Sequence, residues 1–380
     1  VSDPSSRLSP LHDVHVAAGA TFTDFAGWRM PLRYGSELAE HHAVRGAAGL
    51  FDLSHMAEFR IEGAGAGAFL DFALAGVLSG GEVGRARYSL LLNDSGGVLD
   101  DVVVYRQADD RFLLVANAAN RSVVGHALAD RLAGLDLAGS AVVVRDVSDE
   151  IALIALQGPA SRAILEATVG LGRPTRPFAD LGYYRATDAD FAGIPVYVGR
   201  TGYTGEDGFE LYVAADAAPA LWGAIAQAGA DAGLVPAGLA ARDTLRLEAG
   251  MPLYGHELST DTLPAQVGLA RVVVLDPGHD FVGRTGVEAG PAPGARILVG
   301  LASEGRRAGR AGYRVLTPDG REVGTVTSGA LSPTLGHPIA LAAVDPDVSA
   351  PGTALAIDVR DSPVAATVVP LPFYSRKQVQ

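Results

Sequence analysis

The sequence predicts an α+β protein that ends in a small β-barrel. Between Arg87 and Ala249, strand-like and helix-like runs mix without strict alternation, which argues against a doubly wound parallel sheet. From Arg296 onward, short alternating runs recur between Pro, Asp and Gly, the pattern of a small barrel or sandwich. The chain has 380 residues, 48% hydrophobic and 19% charged, enough for two or three packed domains with sizeable cores.

The composition also excludes chemistries. A net charge of −13 disfavours nucleic acid and anionic membranes as partners. With no cysteine, disulfides, thiolate metal sites and cysteine nucleophiles are ruled out. Basic charge is arginine apart from Lys377, so neither a P-loop lysine nor a pyridoxal-binding lysine is expected. Val1-Ser2-Asp3-Pro4-Ser5-Ser6 lacks a signal-peptide core, and no run of about 18 apolar residues occurs. A cytoplasmic protein without a membrane span is expected.

Along the chain, Phe25–Leu32 is aromatic and turn-like, Glu37–Gly46 reads as a helix and Ala57–Ile61 as a strand. Gly63-Ala64-Gly65-Ala66-Gly67-Ala68 has dinucleotide-loop spacing. However, Glu58, Arg60 and Glu62 alternate through the preceding strand, where a buried parallel strand would be apolar on both faces. It reads as a small-residue helix start. His41 and His42 are adjacent and so cannot share a helix face; no metal site is expected there. Further strands are expected at Arg111–Asn117, Ala141–Val147 and Ile151–Leu156, and helices at Asn120–Leu132, Pro159–Val169 and Ala217–Gly229. Residues 237–249 form a helix stopped by Gly250 and Pro252, with Arg242 and Arg246 one turn apart; like charges at that spacing call for an acidic partner. Residues 276–295, rich in Gly, Pro and Asp, read as a linker, and 296–375 as the barrel domain.

Two stretches carry chemistry. Arg87–Leu92 and Val98–Tyr105 flank Asn93-Asp94-Ser95-Gly96-Gly97, which is turn chemistry, so they form a hairpin. Strand parity puts Leu99, Asp101, Val103 and Tyr105 on one face and Val98, Asp100, Val102 and Val104 on the other. Both faces are otherwise apolar, so at least one carboxylate enters a partly dry place and needs partners. An Asp pair that merely ends a turn is the plainer reading of this stretch alone. In Arg200-Thr201-Gly202-Tyr203-Thr204-Gly205-Glu206-Asp207-Gly208-Phe209-Glu210-Leu211-Tyr212-Val213, a Gly-rich loop leads into an apolar strand bearing Glu210 and Tyr212 on one face. A carboxylate there suits a 2-aminopyrimidine edge, although a solvated hairpin residue fits the pattern too.

Taken together, several stretches resemble the aminomethyltransferase (T-protein) family of the glycine cleavage system nearly end to end: Asp24–Trp28, Phe51–Met56, Gly96–Asp101, Gln157–Pro159, Arg200–Glu206, Gly238–Ala249 and Val326–Gly329. The resemblance implies three domains in a cloverleaf around a central folate channel, two of them intertwined α+β domains within residues 8–275. It implies transfer of the aminomethyl carbon from the lipoyl arm of H-protein to tetrahydrofolate, giving ammonia, 5,10-methylenetetrahydrofolate and dihydrolipoyl H-protein. No metal, flavin or pyridoxal phosphate is implied. By position, Asp101 matches the essential aspartate, Glu210 the pterin-binding glutamate and Arg242 an arginine at the folate site. Met56, Tyr88, Tyr105, Asn117 and Tyr203 match channel-lining positions, and Tyr374 matches an aromatic near the C-terminal end. Arg306, Arg307 and Arg310 match a basic loop and are the expected H-protein contact.

Two other readings compete. One is a folate-dependent demethylase of the same superfamily. The other is a non-enzymatic folate-binding assembly factor, whose relatives carry a cysteine motif where this chain has Arg200-Thr201-Gly202-Tyr203.

Overall fold

The computed structural model describes residues 6–137 and 139–376. The N-terminal stretch Val1–Ser5 and Lys377 lie outside the described residues. Among those described, no helix is long and apolar enough to cross a membrane. The chain forms two compact units. The first holds the chain up to Ala73, Val77–Ser89 and Asp101–Arg242; the second holds Leu74–Gly76, Leu90–Asp100 and the chain from Asp243 on.

The first unit contains two large sheets. One has seven strands, in the order Leu171–Gly172, Ala186–Phe191, Ile194–Gly199, Gly208–Ala214, Ile151–Gln157, Ala48–Asp52, Leu234–Pro236. Phe209, Leu211 and Val213 lie on one face of their strand and join Leu50, Ile154 and Trp222 in the core. Fully burying side chains of this size contributes about 1.5–3 kcal/mol each. The second sheet runs Ala86–Leu92, Val98–Ala108, Arg111–Ala116, Ala57–Glu62, Val143–Asp146, with Leu90–Leu92 and Val98–Asp100 counted in the second unit. A three-stranded sheet is built from Arg7–Leu8, Trp28–Arg33 and Thr21–Phe25. The stretch Phe25–Leu32, expected to be aromatic and turn-like, is thus a hairpin turn at Ala26-Gly27, φ 53° and 77°, followed by most of strand Trp28–Arg33.

Helix Glu37–Gly46 lies where the sequence puts it, capped by the Ser36 side chain. Glu40 faces inward and accepts from the Tyr34 N–H at 2.7 Å and the Gly238 N–H at 2.9 Å. A Cβ at Gly238 would lie 2.3 Å from the Leu32 carbonyl oxygen, so glycine is required for this approach. These contacts seat the start of helix Leu239–Glu248, which carries Arg242.

In the second unit, six strands close the expected barrel: Ile297–Ser303, Pro338–Val344, Glu322–Leu331, Arg314–Leu316, Ala354–Asp358 and Pro363–Val369. Its interior is Val, Leu, Ile and Ala. The hairpin turn Asn93–Gly97 also belongs here. The Asn93 carboxamide oxygen accepts from the Ser95 and Gly97 N–H groups, at 3.0 and 2.9 Å. The acidic partner called for by Arg246 is present twice: its guanidinium donates to Glu257 Oε2 at 3.1 Å and Asp243 Oδ1 at 2.9 Å. The fold is therefore α+β with a closed C-terminal barrel, as the sequence predicts.

Candidate active site

The site builds from the hairpin strand Val98–Ala108. Its burial alternates from Val98 to Val104, as strand parity requires. Asp100 has no exposed surface, while Asp101 on the other face is half-buried. Tyr88 Oη donates to Asp101 Oδ2 at 2.9 Å, and Asn117 Nδ2 donates to Oδ1 at 2.8 Å. Burial pushes the Asp101 carboxyl up from its ordinary value, although both hydrogen bonds oppose the rise. Burial and the Asp101 charge hold the Tyr88 hydroxyl well above its ordinary range, so it remains a donor. The result is a positioned carboxylate with raised proton affinity, the state a general base needs.

A second carboxylate sits on strand Gly208–Ala214. Glu210 Oε2 accepts from Thr201 Oγ1 at 2.5 Å and Tyr105 Oη at 3.2 Å. Tyr105 has no exposed surface. It meets Glu210 through its hydroxyl.

The loop before this strand is held by its own acids. Arg200 makes a two-pronged pair with Asp207, both bonds 2.8 Å, and Arg45 binds Glu206 at 3.0 Å. Gln157, 1% exposed, cradles the loop: its Nε2 donates to the Thr201 carbonyl at 3.1 Å, and its Oε1 accepts from Thr204 Oγ1 at 2.9 Å. A Cβ at Gly202 or Gly208 would lie 2.0 or 2.3 Å from the Gln157 amide, so a side chain at either position would displace the amide that holds the loop. Two of the three acids in this stretch are thereby structural, and Glu210 is left for other work.

The Arg242 guanidinium lies over the Tyr203 ring, 4.7 Å from its centroid. Burial and the Arg242 charge push the His55 imidazole down to about 4, so it is neutral near pH 7. The turn carrying His55 and Met56 is fixed by Asp52, which accepts from the Ser54 N–H at 2.9 Å and pairs with His15 Nε2 at 2.8 Å. Met56 is half-buried.

Tyr374, Arg306, Arg307 and Arg310 lie in the second unit. The Tyr374 N–H donates to the Glu248 carbonyl at 2.8 Å. The three arginines are exposed on a loop; Arg307 donates to Ser362 Oγ at 3.1 Å and Arg310 to the Gly329 carbonyl at 3.2 Å.

Comparison with known proteins decides the family. A model described as the GCVT N-terminal domain matches residues 11–277, and one described as the glycine cleavage T-protein C-terminal barrel domain matches residues 296–375. An aminomethyltransferase from Cutibacterium acnes is 55% identical over 373 residues, covering 97% of this chain and 99% of that protein. One from Saccharopolyspora erythraea is 54% identical, with 98% and 99% covered. The crystal structure of the glycine cleavage system aminomethyltransferase T from Bartonella henselae superposes with a TM-score of 0.87 at 36% identity, covering 97% and 98%. The chain belongs to the glycine cleavage T-protein family. It is a transferase, as the aminomethyltransferase resemblance implied.

Sequence reasoning on this T-protein family member missed several residues. Thr201 and Gln157 appear in the matched motifs, but nothing local shows that one binds Glu210 and the other holds the loop. Tyr184 was missed as well. Burial is the main cause of its raised hydroxyl, with smaller contributions from Tyr183, Glu210 and Asp101. The signal for it is conformational, a non-glycine residue at φ 58°.

Proposed function

We propose that this chain transfers the one-carbon unit of aminomethyl-lipoyl H-protein to tetrahydrofolate, releasing ammonia and leaving 5,10-methylenetetrahydrofolate and dihydrolipoyl H-protein. The observation that carries the reading is Asp101, a half-buried carboxylate gripped at both oxygens and raised in proton affinity. Tetrahydrofolate supplies weakly basic nitrogens that take up a methylene carbon already activated between nitrogen and sulfur. The protein then has to add position and one carboxylate, not a nucleophile.

The residues fit such a ligand. Glu210 has Oε2 tied to the protein, and Oε1 makes no bond among the described residues. That free oxygen suits the amino edge of a pterin. Arg242, over the Tyr203 ring, suits an anionic or π-rich part of the same molecule. Asp101 orients the folate nitrogens and holds the proton that one of them gives up. Met56, Asn117 and Tyr88 line the ligand's place around it. Arg306, Arg307 and Arg310 receive the acidic H-protein. The cytoplasm is the compartment this reading assigns.

The test is a reconstituted assay with aminomethylated H-protein and tetrahydrofolate. Ammonia and 5,10-methylenetetrahydrofolate should form in equal amounts and only when H-protein is present. Folate-dependent demethylation of dimethylglycine or sarcosine without H-protein would instead make the chain a demethylase.

A further inference from the structure

Glu210 is backed by a chain of three hydroxyls on buried residues, Thr201, Tyr105 and Tyr212. Strands Ile194–Gly199 and Gly208–Ala214 pair so that Gly199 lies opposite Glu210 and Tyr197 opposite Tyr212. Tyr105, from the five-stranded sheet, inserts at this point. A Cβ at Gly199 would lie 2.7 Å from Tyr105 Oη, so the glycine makes the space. The Tyr197 and Tyr212 rings stand edge-on to Tyr105, with centroids 5.6 and 5.4 Å away.

The carboxylate at the end of this chain fixes its first donor. A carboxylate only accepts, so Thr201 Oγ1 gives its proton to Glu210 Oε2 at 2.5 Å. The single Tyr105 proton is then shared between Thr201 Oγ1 at 2.7 Å and Glu210 Oε2 at 3.2 Å, and the Tyr105 oxygen accepts from Tyr212 Oη at 3.2 Å. Burial holds both tyrosine hydroxyls well above their ordinary range, so they stay protonated. Each bond polarises the next toward the carboxylate. Every hydroxyl acts on Oε2, directly or through its neighbour, and Oε1 has no hydrogen-bond partner among the described residues.

We infer that Tyr212 is a positioning residue for ligand recognition, acting through Tyr105 and Thr201 to fix how Glu210 presents Oε1 to the amino edge of a pterin. The inference rests on the proposed role of Glu210 and assigns Thr201 and Tyr212 functions within it. Losing Tyr212 should loosen Glu210 without removing any group that touches ligand.

The experiment is anaerobic calorimetry of tetrahydrofolate binding to the full chain and to Tyr212→Phe, Glu210→Gln and the double variant. Tyr212→Phe should weaken binding about three- to tenfold, the scale of one buried neutral hydrogen bond, and the loss should fall on KM more than on kcat. In the Glu210→Gln background the same change should cost nothing further, because the group it acts through is gone. Thr201→Val should weaken binding by at least as much, and Thr201→Ser should restore most of it; this arm leaves the aromatic packing untouched. An equal loss from Tyr212→Phe in both backgrounds, or wild-type binding by Tyr212→Phe and Thr201→Val, overturns the inference. If Glu210→Gln binds folate like the parent, the reading of Glu210 falls and takes the inference with it. A loss in Glu210→Gln with none in Tyr212→Phe sinks the inference alone.

Discussion

The Tyr88 hydroxyl donates to Asp101 Oδ2 at 2.9 Å, opposite the Asn117 amide on Oδ1. Two donors, one on strand Ala86–Leu92 and one just after strand Arg111–Ala116, hold one half-buried carboxylate that burial would otherwise push further toward its neutral form. The Tyr88 bond therefore favours the carboxylate, and removing it lets the proton affinity rise. Activity that needs the carboxylate fails as pH falls through this proton equilibrium. In Tyr88→Phe that failure should begin at a higher pH than in the parent. The pH profile of kcat measures it; superimposable acid limbs would remove Tyr88 from the support of Asp101.

Glu58 offers a prediction about stability. It has no exposed surface, and neither carboxyl oxygen has a hydrogen-bond partner among the described residues. Burial raises its proton affinity well above the ordinary value of 4.5, with Arg121 opposing. Between 4.5 and the raised value the folded chain binds more protons than the unfolded one, so stability falls as pH climbs through that window. Glu58→Gln removes the titration. Its melting temperature should match or exceed the parent's, with a gap that widens toward alkaline pH. A lower melting temperature at every pH would mean that the carboxyl is stabilising.

The basic loop predicts a salt effect. Reversing charge at Arg306 and Arg307 should raise the apparent KM for H-protein and leave folate affinity unchanged. Exposed charges are screened over about 10 Å at 0.1 M salt, so the penalty should shrink as salt rises. Identical kinetics for variant and parent across a salt series would remove the loop from docking.

Much of this was legible in the sequence where a local rule was at work. Helix Glu37–Gly46 announces itself through Ser36 and its acidic first turn, and the barrel strands through punctuated alternation. The two faces of the Asp100–Asp101 strand follow from parity alone. The hairpins turning at Ala26-Gly27 and Ala192-Gly193 were not legible. Each puts an alanine at positive φ, 53° and 52°, where the recognisable signal is Asn or Asp before Gly. The supports of the site were hidden for a different reason. Thr201, Gln157 and Tyr212 act through contacts with residues that strand pairing brings beside them, and no spacing rule reports such contacts. The resemblance supplied Glu210 and Asp101, and the structure supplied what holds them.

The central claim is that Asp101 serves the transfer step rather than the fold. The direct measurement is H-protein-dependent turnover of Asp101→Asn, with folate affinity and melting temperature taken on the same protein. The account predicts turnover lowered by about 10²-fold or more, the usual scale for a positioned acid or base, with folate binding and melting temperature close to the parent's. An Asp101→Asn protein that turns over like the parent, while Asp100→Asn loses catalysis, would contradict it.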